Sequence, residues 1–507
     1  MRHAHETAEE VTRPELARLI AEVARSANGD LDGRLAQLRA VGHCRHPIRL
    51  RGEVFTRDPS GALRTSYSTK GEPDGVILVR CRNRRARVCP SCAWEYQGDI
   101  WQLLYAGVAG GRKGVPAHIA THPMAFVTLT APGFGAVHTR RADGGSCRAG
   151  RGTRIYAHGM PTSCDAHHAE DDPCLGAPLC ADCYDYDGAV GFNWHAPELW
   201  RRFVISLRRQ LARRLGTSEA DFCRTYRVSF AKVAEFQRRG VVHLHAILRL
   251  DGAGEPFSSV PLGLDAGDLC AAARKAASRV WVDHDAGGPR RHRIRFGAQY
   301  SIHPVGTFDD GTPTEVVAAY LAKYATKSVD DLGVTTESTE RPETASSPID
   351  AHLRRMVMRA HALHDDLPGI RRWAHMLGFR GHFATKSRAF STTMGALRTA
   401  RTEYRSGPAR WHASRALGVW TFDGAGHRTR AEHAVAVAES EHTTLTRCRS
   451  SRWTHGKSPT EQDALAAQWD SKEMTRPRGR PGRPDAAPKC ETEASGGRSG
   501  RSRPKRE

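Results

Sequence analysis

The stretch KVAEFQRRGVVHLHAIL, residues 232–248, places two mostly apolar runs on either side of a short polar turn. In the second run His243 and His245 alternate with apolar residues, so in a strand both imidazoles leave the same face of the sheet. Three loop residues ending in Gly240 suit a hairpin whose last position is left-handed. Paired imidazoles are part of many catalytic metal sites. The stretch therefore predicts an antiparallel hairpin with a metal-binding face.

The facing strand offers a third ligand. The predicted hairpin sets Glu235 opposite His243, and Gln237 shares that face nearer the turn. We predict that His243, His245 and Glu235 bind a catalytic Mg or Mn ion, with Gln237 as the substitute for Glu235. A one-residue change of register would send both candidates to the other face. The alternative interpretation is a pair of satisfied core histidines.

A second stretch, YLAKYATK at residues 320–327, has the pattern of a helix. Tyr320, Tyr324 and Lys327 recur at i, i+4 and i+7 and so share one face. A metal ion on a strand and tyrosines on a nearby helix suit transesterification of DNA, in which a tyrosine hydroxyl attacks a polarised phosphodiester. Without the histidines, core packing would be the better interpretation of the two tyrosines.

These motifs resemble those of HUH rolling-circle replication initiators. The segments 235–245 and 320–327 are similar to their second and third motifs, and FVTLT at 126–130 is similar to the first. The spacing of two tyrosines resembles the gene A proteins of small single-stranded DNA phages. Further segments resemble initiators of actinobacterial plasmids and integrative elements, and the likeness covers roughly residues 40–425; these segments are 81–92, 183–186, 196–200 and 383–387.

The resemblance implies an origin-specific nickase and strand transferase that starts rolling-circle replication. Tyr324 best matches the family nucleophile, which leaves a 5′-phosphotyrosine and a free 3′-hydroxyl for the host polymerase. Tyr320 is either a second nucleophile for termination or a structural aromatic residue. Other plasmid initiators carry Glu at that place, and this sequence departs from them. Lys327 would steady the phosphate charge or lower the tyrosine pKa.

Composition and charge agree with a nucleic-acid partner. The 507 residues include 76 Lys and Arg against 55 Asp and Glu, a formal net charge of +21. Such a balance suits DNA, although a solvated basic surface is the alternative. The sequence has no apolar run of transmembrane length and no apolar signal segment at its start, so we expect a cytoplasmic protein without a membrane partner. It also has no Gly-rich phosphate loop, so we expect a host helicase to unwind the duplex.

Cysteine spacing predicts structural zinc. Cys89 and Cys92 form a CxxC pair, and Cys44 and Cys81 would complete a four-sulfur site. His43 and His46 are possible stand-ins, and a set of buried free cysteines is the alternative.

Residues 136–195 look like an insertion with little apolar material, for which a metal could replace a core. The pair spacings there select Cys164, His167, Cys180 and Cys183 as a second zinc site, although the sequence does not decide which four ligands are used.

We predict an α+β fold, in which a central antiparallel sheet carries the histidine strand, helices lie on one side, and zinc-bound appendages are attached. The predicted domains are an N-terminal helical segment (1–40), a cysteine-rich zinc-ribbon-like element (41–112), an HUH nickase core (115–335) containing the insertion, a helical basic DNA-binding region (348–450) and a disordered basic tail (455–507).

Two alternatives concern the C-terminal part. The segment 378–390 interleaves arginine with aromatic residues, which suits either phosphate clamps with base-stacking rings or packing against the core. The segment 476–484 resembles an AT-hook, or is a disordered basic tail. Two rival functions also remain, namely a zinc-dependent DNA-binding regulator with an inactive nuclease core, and an HUH transposase.

Overall fold

A computed structural model describes residues 13–26, 30–58, 60–141, 143–148, 155–285, 291–305, 347–406 and 416–441. Tyr320, Tyr324 and Lys327 lie outside the described residues, as do the tail at 455–507 and its AT-hook-like segment. The interpretations of these parts of the chain stay predictions from the sequence.

The helices are distributed over the whole described chain. They are α1 (Arg13–Ser26), α2 (Leu31–Ala40), α3 (Pro90–Ala109), α4 (Tyr186–Arg214), α5 (Glu219–Thr225), α6 (Ala266–Arg279), α7 (Pro348–Ala362), α8 (Met394–Ser406) and α9 (residues 430–441). Cys89 is the N-cap of α3, and Pro90 occupies its first turn, where a missing N–H costs nothing. The CxxC pair therefore lies at the start of a helix.

The strands form two larger sheets and one two-stranded ribbon. They are β1 (Ile48–Arg57), β2 (Leu63–Ser68), β3 (Ile77–Val79), β4 (Met124–Leu129), β5 (Tyr226–Phe236), β6 (Val242–Gly252), β7 (Trp281–Asp285), β8 (Arg291–Arg295), β9 (Tyr300–Pro304), β10 (Ala384–Lys386) and β11 (Leu417–Ala425). The central sheet has the order β10-β5-β6-β4-β9, and all its pairs are antiparallel. The predicted α+β class with a central antiparallel sheet is confirmed.

Helices cover both faces of the central sheet, whereas the sequence analysis placed them on one side. Phe126 and Ile247 pack with residues of α3 and α8, and the alternate residues Val127 and Ala246 pack with residues of α4, α6 and α7. Every residue of β4 is buried. A strand that is covered on both faces has apolar residues at successive positions. The alternation of histidine and apolar residues in the histidine strand therefore could not show whether its second face is open or covered.

Helix α4 begins at Tyr186, well before Pro197, although proline is typical of the first turn of a helix. The side chain of Asp185 caps it by accepting a hydrogen bond from the backbone N–H of Gly188. Pro197 lies inside the helix. The added turns contain the fully buried Phe192 and Asn193. Tertiary burial therefore extends the helix past the proline, and the last residues of the predicted 136–195 insertion belong to α4.

The C-terminal described residues are divided between the two larger sheets. β10 pairs with β5 in the central sheet, whereas β11 pairs with β1 in a sheet of β11-β1-β2 with β3 also on β1. Leu38 of α2 and Val435 of α9 share a buried cluster. The region predicted as one helical segment (348–450) thus contributes strands to both sheets.

Among the described residues, none of the helices combines the length and the apolar character needed to cross a membrane.

Candidate active site and metal-binding clusters

The turn between β5 and β6 sets the register of the histidine strand. The backbone N–H of Gln237 donates to the carbonyl of Val241 at 2.9 Å, and Gly240 N–H donates to the carbonyl of Gln237 at 2.8 Å. Gly240 has a φ of +72°, the left-handed conformation that glycine adopts without steric cost. Glu235 consequently pairs with His243, and the residue two places before it pairs with His245, in the register predicted from the turn.

His245 lies between two polar partners on the face covered by α3. Its Nδ1 is 3.2 Å from the hydroxyl oxygen of Thr128, the residue opposite it on β4. Its Nε2 is 3.5 Å from a carboxylate oxygen of Glu235. The His245 side chain is 3% exposed and that of Glu235 is 14% exposed. The hydroxyl at Nδ1 orients the ring, so that Nε2 faces the carboxylate.

His243 completes the predicted set with a different geometry. Its ring centroid is 4.5 Å from that of His245. Groups of three or more residues whose metal-binding atoms all lie within 4.8 Å of one another occur three times among the described residues, and none contains His243, His245 or Glu235. The 3.5 Å separation of His245 and Glu235 is near the about 3 Å edge of an octahedral Mg site. Two imidazoles and a carboxylate suit such an ion chemically, and the side chain of His243 would have to move closer to share it.

Two further residues of this face differ in role from the sequence analysis. Thr128 had no role in the sequence-based prediction beyond the resemblance of its strand to a family motif, yet its hydroxyl contacts His245. The alternation in Thr-Leu-Thr, which turns Thr128 toward the histidine face, was the signal available in the sequence. The amide oxygen of Gln237 accepts a hydrogen bond from Arg239 at 2.9 Å. Gln237 is therefore already engaged at the turn, which favours Glu235 as the ligand.

The four cysteines predicted to share a zinc site lie together. The sulfur atoms of Cys44, Cys81, Cys89 and Cys92 all fall within 4.8 Å of one another, with separations of 3.6 to 3.7 Å for three pairs. Hydrogen bonds with the neighbouring cysteines, and then burial, raise the pKa of Cys44 far above the usual thiol range. Four adjoining sulfurs, three of them on buried residues, therefore need a cation to ionise together, as a structural zinc site requires. The stand-ins His43 and His46 are not part of this group.

The residues predicted as a second zinc site are divided between two groups. Cys164 lies with His138, Cys147 and His168, whereas Cys180 and Cys183 lie with His158. His167 belongs to neither group, because its Nδ1 is 2.8 Å from the carbonyl oxygen of Gly144. The described residues of this segment form no regular strands. The local path of the backbone after Cys164 therefore decides which histidine faces the sulfur, and the spacing of residues in the sequence does not encode that path.

The aromatic residues of the segment 378–390 belong to the core. Phe379 and Phe390 are fully buried, and Phe383 is 4% exposed. The rings of Phe379 and Phe383 pack against Phe236 at the end of β5, with centroids 6.0 and 5.7 Å away. The guanidinium of Arg84 lies 3.9 Å from the ring centroid of Phe383. Of the two alternatives for this segment, the structure therefore supports packing against the core.

Comparison with known proteins gives two matches. A family model described as "Replication initiator protein, pSAM2" (RepSA) matches residues 30–441. A replication initiator protein of Streptomyces ambofaciens is 42% identical over 434 residues, which is 81% of this chain and 90% of that protein. No solved structure gives a significant match. The family match spans both larger sheets, the histidine hairpin and the cysteine groups, and this chain therefore belongs to the RepSA family of replication initiator proteins.

Proposed function

We propose that this replication initiator is a metal-dependent, origin-specific DNA nickase and strand transferase of the HUH type. It would start rolling-circle replication of a plasmid or integrative element through a 5′-phosphotyrosine. The observation that carries the proposal is the placement of His245 against Glu235 and Thr128 on a buried sheet face. A histidine with only a structural role in the core would be stabilised by one hydrogen-bond partner. It would require neither the facing carboxylate nor a neighbouring imidazole.

The reaction assigns a distinct task to each side chain. His243, His245 and Glu235 would bind Mg or Mn, and such an ion polarises the scissile phosphodiester and offsets charge in the transition state. The hydroxyl of Tyr324 forms the new bond to phosphorus and gives up its proton. The bond from phosphorus to the 3′-oxygen breaks, and that oxygen takes a proton to become the free 3′-hydroxyl. Lys327 would balance the charge that develops on the phosphate.

Tyr320 would act after initiation, as the nucleophile of a second transfer that ends a round. The phosphotyrosine conserves the energy of the phosphodiester, so strand transfer needs no ATP. Unwinding and synthesis would come from a host helicase and polymerase in the cytoplasm. These roles rest on the resemblance of the motifs to HUH initiators.

The experiment mixes the purified full-length chain with supercoiled DNA carrying its own origin, in Mn²⁺ or in EDTA. We expect nicked DNA and a covalent adduct on Tyr324, located by mass spectrometry, in the presence of Mn²⁺ alone. Tyr324→Phe should abolish the adduct, whereas Tyr320→Phe should spare initiation and impair termination. Nicking by Tyr324→Phe would show that the nucleophile is wrong.

Other outcomes of the same experiment distinguish the rival functions. Tight binding to the origin without an adduct in any divalent metal would favour a zinc-dependent regulator. Cleavage restricted to the ends of a mobile element, with no activity at the replication origin, would favour a transposase.

A further inference from the structure

A group of two histidines and two cysteines lies apart from the candidate active site. The metal-binding atoms of His138, Cys147, Cys164 and His168 all fall within 4.8 Å of one another. The Nδ1 of His138 is 3.2 Å from the Nε2 of His168, and that Nε2 is 3.5 Å from the sulfur of Cys164. These residues come from four points within residues 138–168, and the described residues of that stretch contain neither a helix nor a strand that would explain why they meet.

The separations match the edges of a zinc tetrahedron. With Zn–N and Zn–S bonds of about 2.1 and 2.3 Å, a tetrahedral site has edges of about 3.4 Å between two nitrogens and about 3.6 Å between nitrogen and sulfur. The observed values are 3.2 and 3.5 Å. The four-cysteine group offers an internal comparison, because its 3.6 to 3.7 Å separations approach the about 3.8 Å expected between two sulfurs.

Surrounding groups orient two of the ligands as in protein zinc sites. The Nδ1 of His168 is 2.7 Å from a carboxylate oxygen of Asp172, which leaves its Nε2 directed into the group. The backbone N–H of Thr139 donates to the sulfur of Cys147 at 3.2 Å. A carboxylate next to the outer ring nitrogen of a histidine raises the basicity of that ligand, and an N–H donated to a sulfur stabilises its thiolate form.

The surrounding chain lacks a core of its own. Of the described residues from His138 to Cys174, Cys147 alone is buried. A segment with so little buried apolar surface needs another source of stability, which a metal ion can supply.

This segment also rests on the turn that sets the histidine register. The guanidinium of Arg238 donates to the carbonyl of Glu170 at 2.6 Å. Gly176 lies so close to the turn that an added Cβ would be 2.7 Å from the carbonyl carbon of Arg238. The backbone N–H of Gly176 donates in turn to the carbonyl of the ligand residue His138 at 2.9 Å. A path of direct contacts therefore leads from the group to the β5–β6 turn.

We propose that His138, Cys147, Cys164 and His168 bind one structural Zn²⁺, and that this ion holds their segment against the β5–β6 turn. The ligand set replaces the one predicted from pair spacing and does not depend on the proposed nicking activity.

The test counts zinc per chain by native mass spectrometry of the full-length protein. We expect His168→Ala to carry one zinc fewer than the wild type, and His168→Cys to restore it by supplying a third thiolate. His167→Ala is the matched control, because its ring lies outside the group, and should keep the wild-type zinc content. Asp172→Asn should retain the ligands and weaken zinc affinity by about 10- to 100-fold.

Hydrogen exchange of the same variants tests the link to the turn. The peptide spanning residues 236–242 should exchange faster in His168→Ala, and at the wild-type rate in His167→Ala and His168→Cys. Wild-type zinc content in His168→Ala, or an equal zinc loss in His167→Ala, would overturn the ligand set. Zinc loss with unchanged exchange at the turn would overturn the supporting role.

Discussion

The β5–β6 hairpin and the segment between Ala136 and Asp185 both bring together side chains of types that can bind metal, and they do so by different means. In the hairpin a tight turn and the two-residue period decide that Glu235 faces His243. Among the described residues of the segment, strand pairing is limited to isolated bridges such as Arg148–Cys164, and His168 rather than His167 faces the sulfur. Spacing therefore predicts which side chains face one another where the backbone is periodic, and only which candidate residues are available where it is not.

The largest expected effect tests the assignment made from periodicity. Glu235→Ala should lower the rate of Mn²⁺-dependent nicking by about 100-fold or more, beyond the loss caused by removing an outer partner of a ligand. Gln237→Ala, on the same face, should stay within about threefold, because its amide oxygen already accepts from Arg239. Initial nicking rates over a Mn²⁺ titration measure the effects of both substitutions. The reverse order would mean that the working register differs by two residues, which would set Gln237 opposite His243.

A buried charge on the same hairpin should have a smaller effect, on stability. Lys232 is 4% exposed, and burial lowers its pKa to about 8. In the unfolded chain the Lys232 side chain has a pKa of about 10.4. Between about pH 8 and 10.4 the unfolded chain therefore binds more protons than the folded chain. The contribution of Lys232 to the free energy of unfolding therefore rises with pH in that window. Below about pH 8 its buried charge lowers the free energy of unfolding by up to about 3 kcal/mol.

Lys232→Met should accordingly raise the free energy of unfolding at pH 7 and flatten its rise between pH 8 and 10. Urea denaturation at several pH values measures both quantities. The exposed Lys275→Met is the control and should change neither. Destabilisation by Lys232→Met at pH 7 would show that the ammonium has a partner worth more than its desolvation.

The turn itself can be tested with paired glycines. Gly240 and Gly216 both have left-handed φ values, +72° and +68°. A Cβ at Gly240 would lie 2.6 Å from the sulfur of Met356, whereas at Gly216 nothing lies within 4 Å. Gly216→Ala should cost about 1 kcal/mol of backbone strain, and Gly240→Ala about 2 kcal/mol or more. Equal losses in urea denaturation would mean that the packing around the turn yields easily.

The smallest effect concerns the contact between the two regions. Gly176 and Gly159 lie in the irregular segment with φ values of +89° and +76°, and only a Cβ at Gly176 would meet the backbone of Arg238. Gly176→Ala should cost about 1 kcal/mol more than Gly159→Ala, because the segment must move off the turn. Thermal unfolding measures the difference. Identical melting temperatures would argue that the segment is not supported by the turn.

Several elements were predicted from local patterns in the sequence, and the others were not predicted for a common reason. The hairpin and its register follow from a turn and a period, and the group of Cys44, Cys81, Cys89 and Cys92 was selected from a CxxC pair and two further cysteines. The start of α4, the pairing of β10 with β5 and the pairing of β11 with β1 depend on residues distant in sequence. Thr128 was overlooked because its contact with His245 crosses from β4 to β6.

The sequence by itself determined which residues share a face of the β5–β6 hairpin, because backbone period and turn geometry are local properties. It also determined the balance of charge and the supply of cysteine and histidine ligands. Only the tertiary structure decided that Thr128 contacts His245, that aromatic rings at 379–390 enter the core, and that His138 and His168 join Cys147 and Cys164. Those contacts connect segments whose mutual approach depends on the packing of the whole chain, which no local pattern encodes.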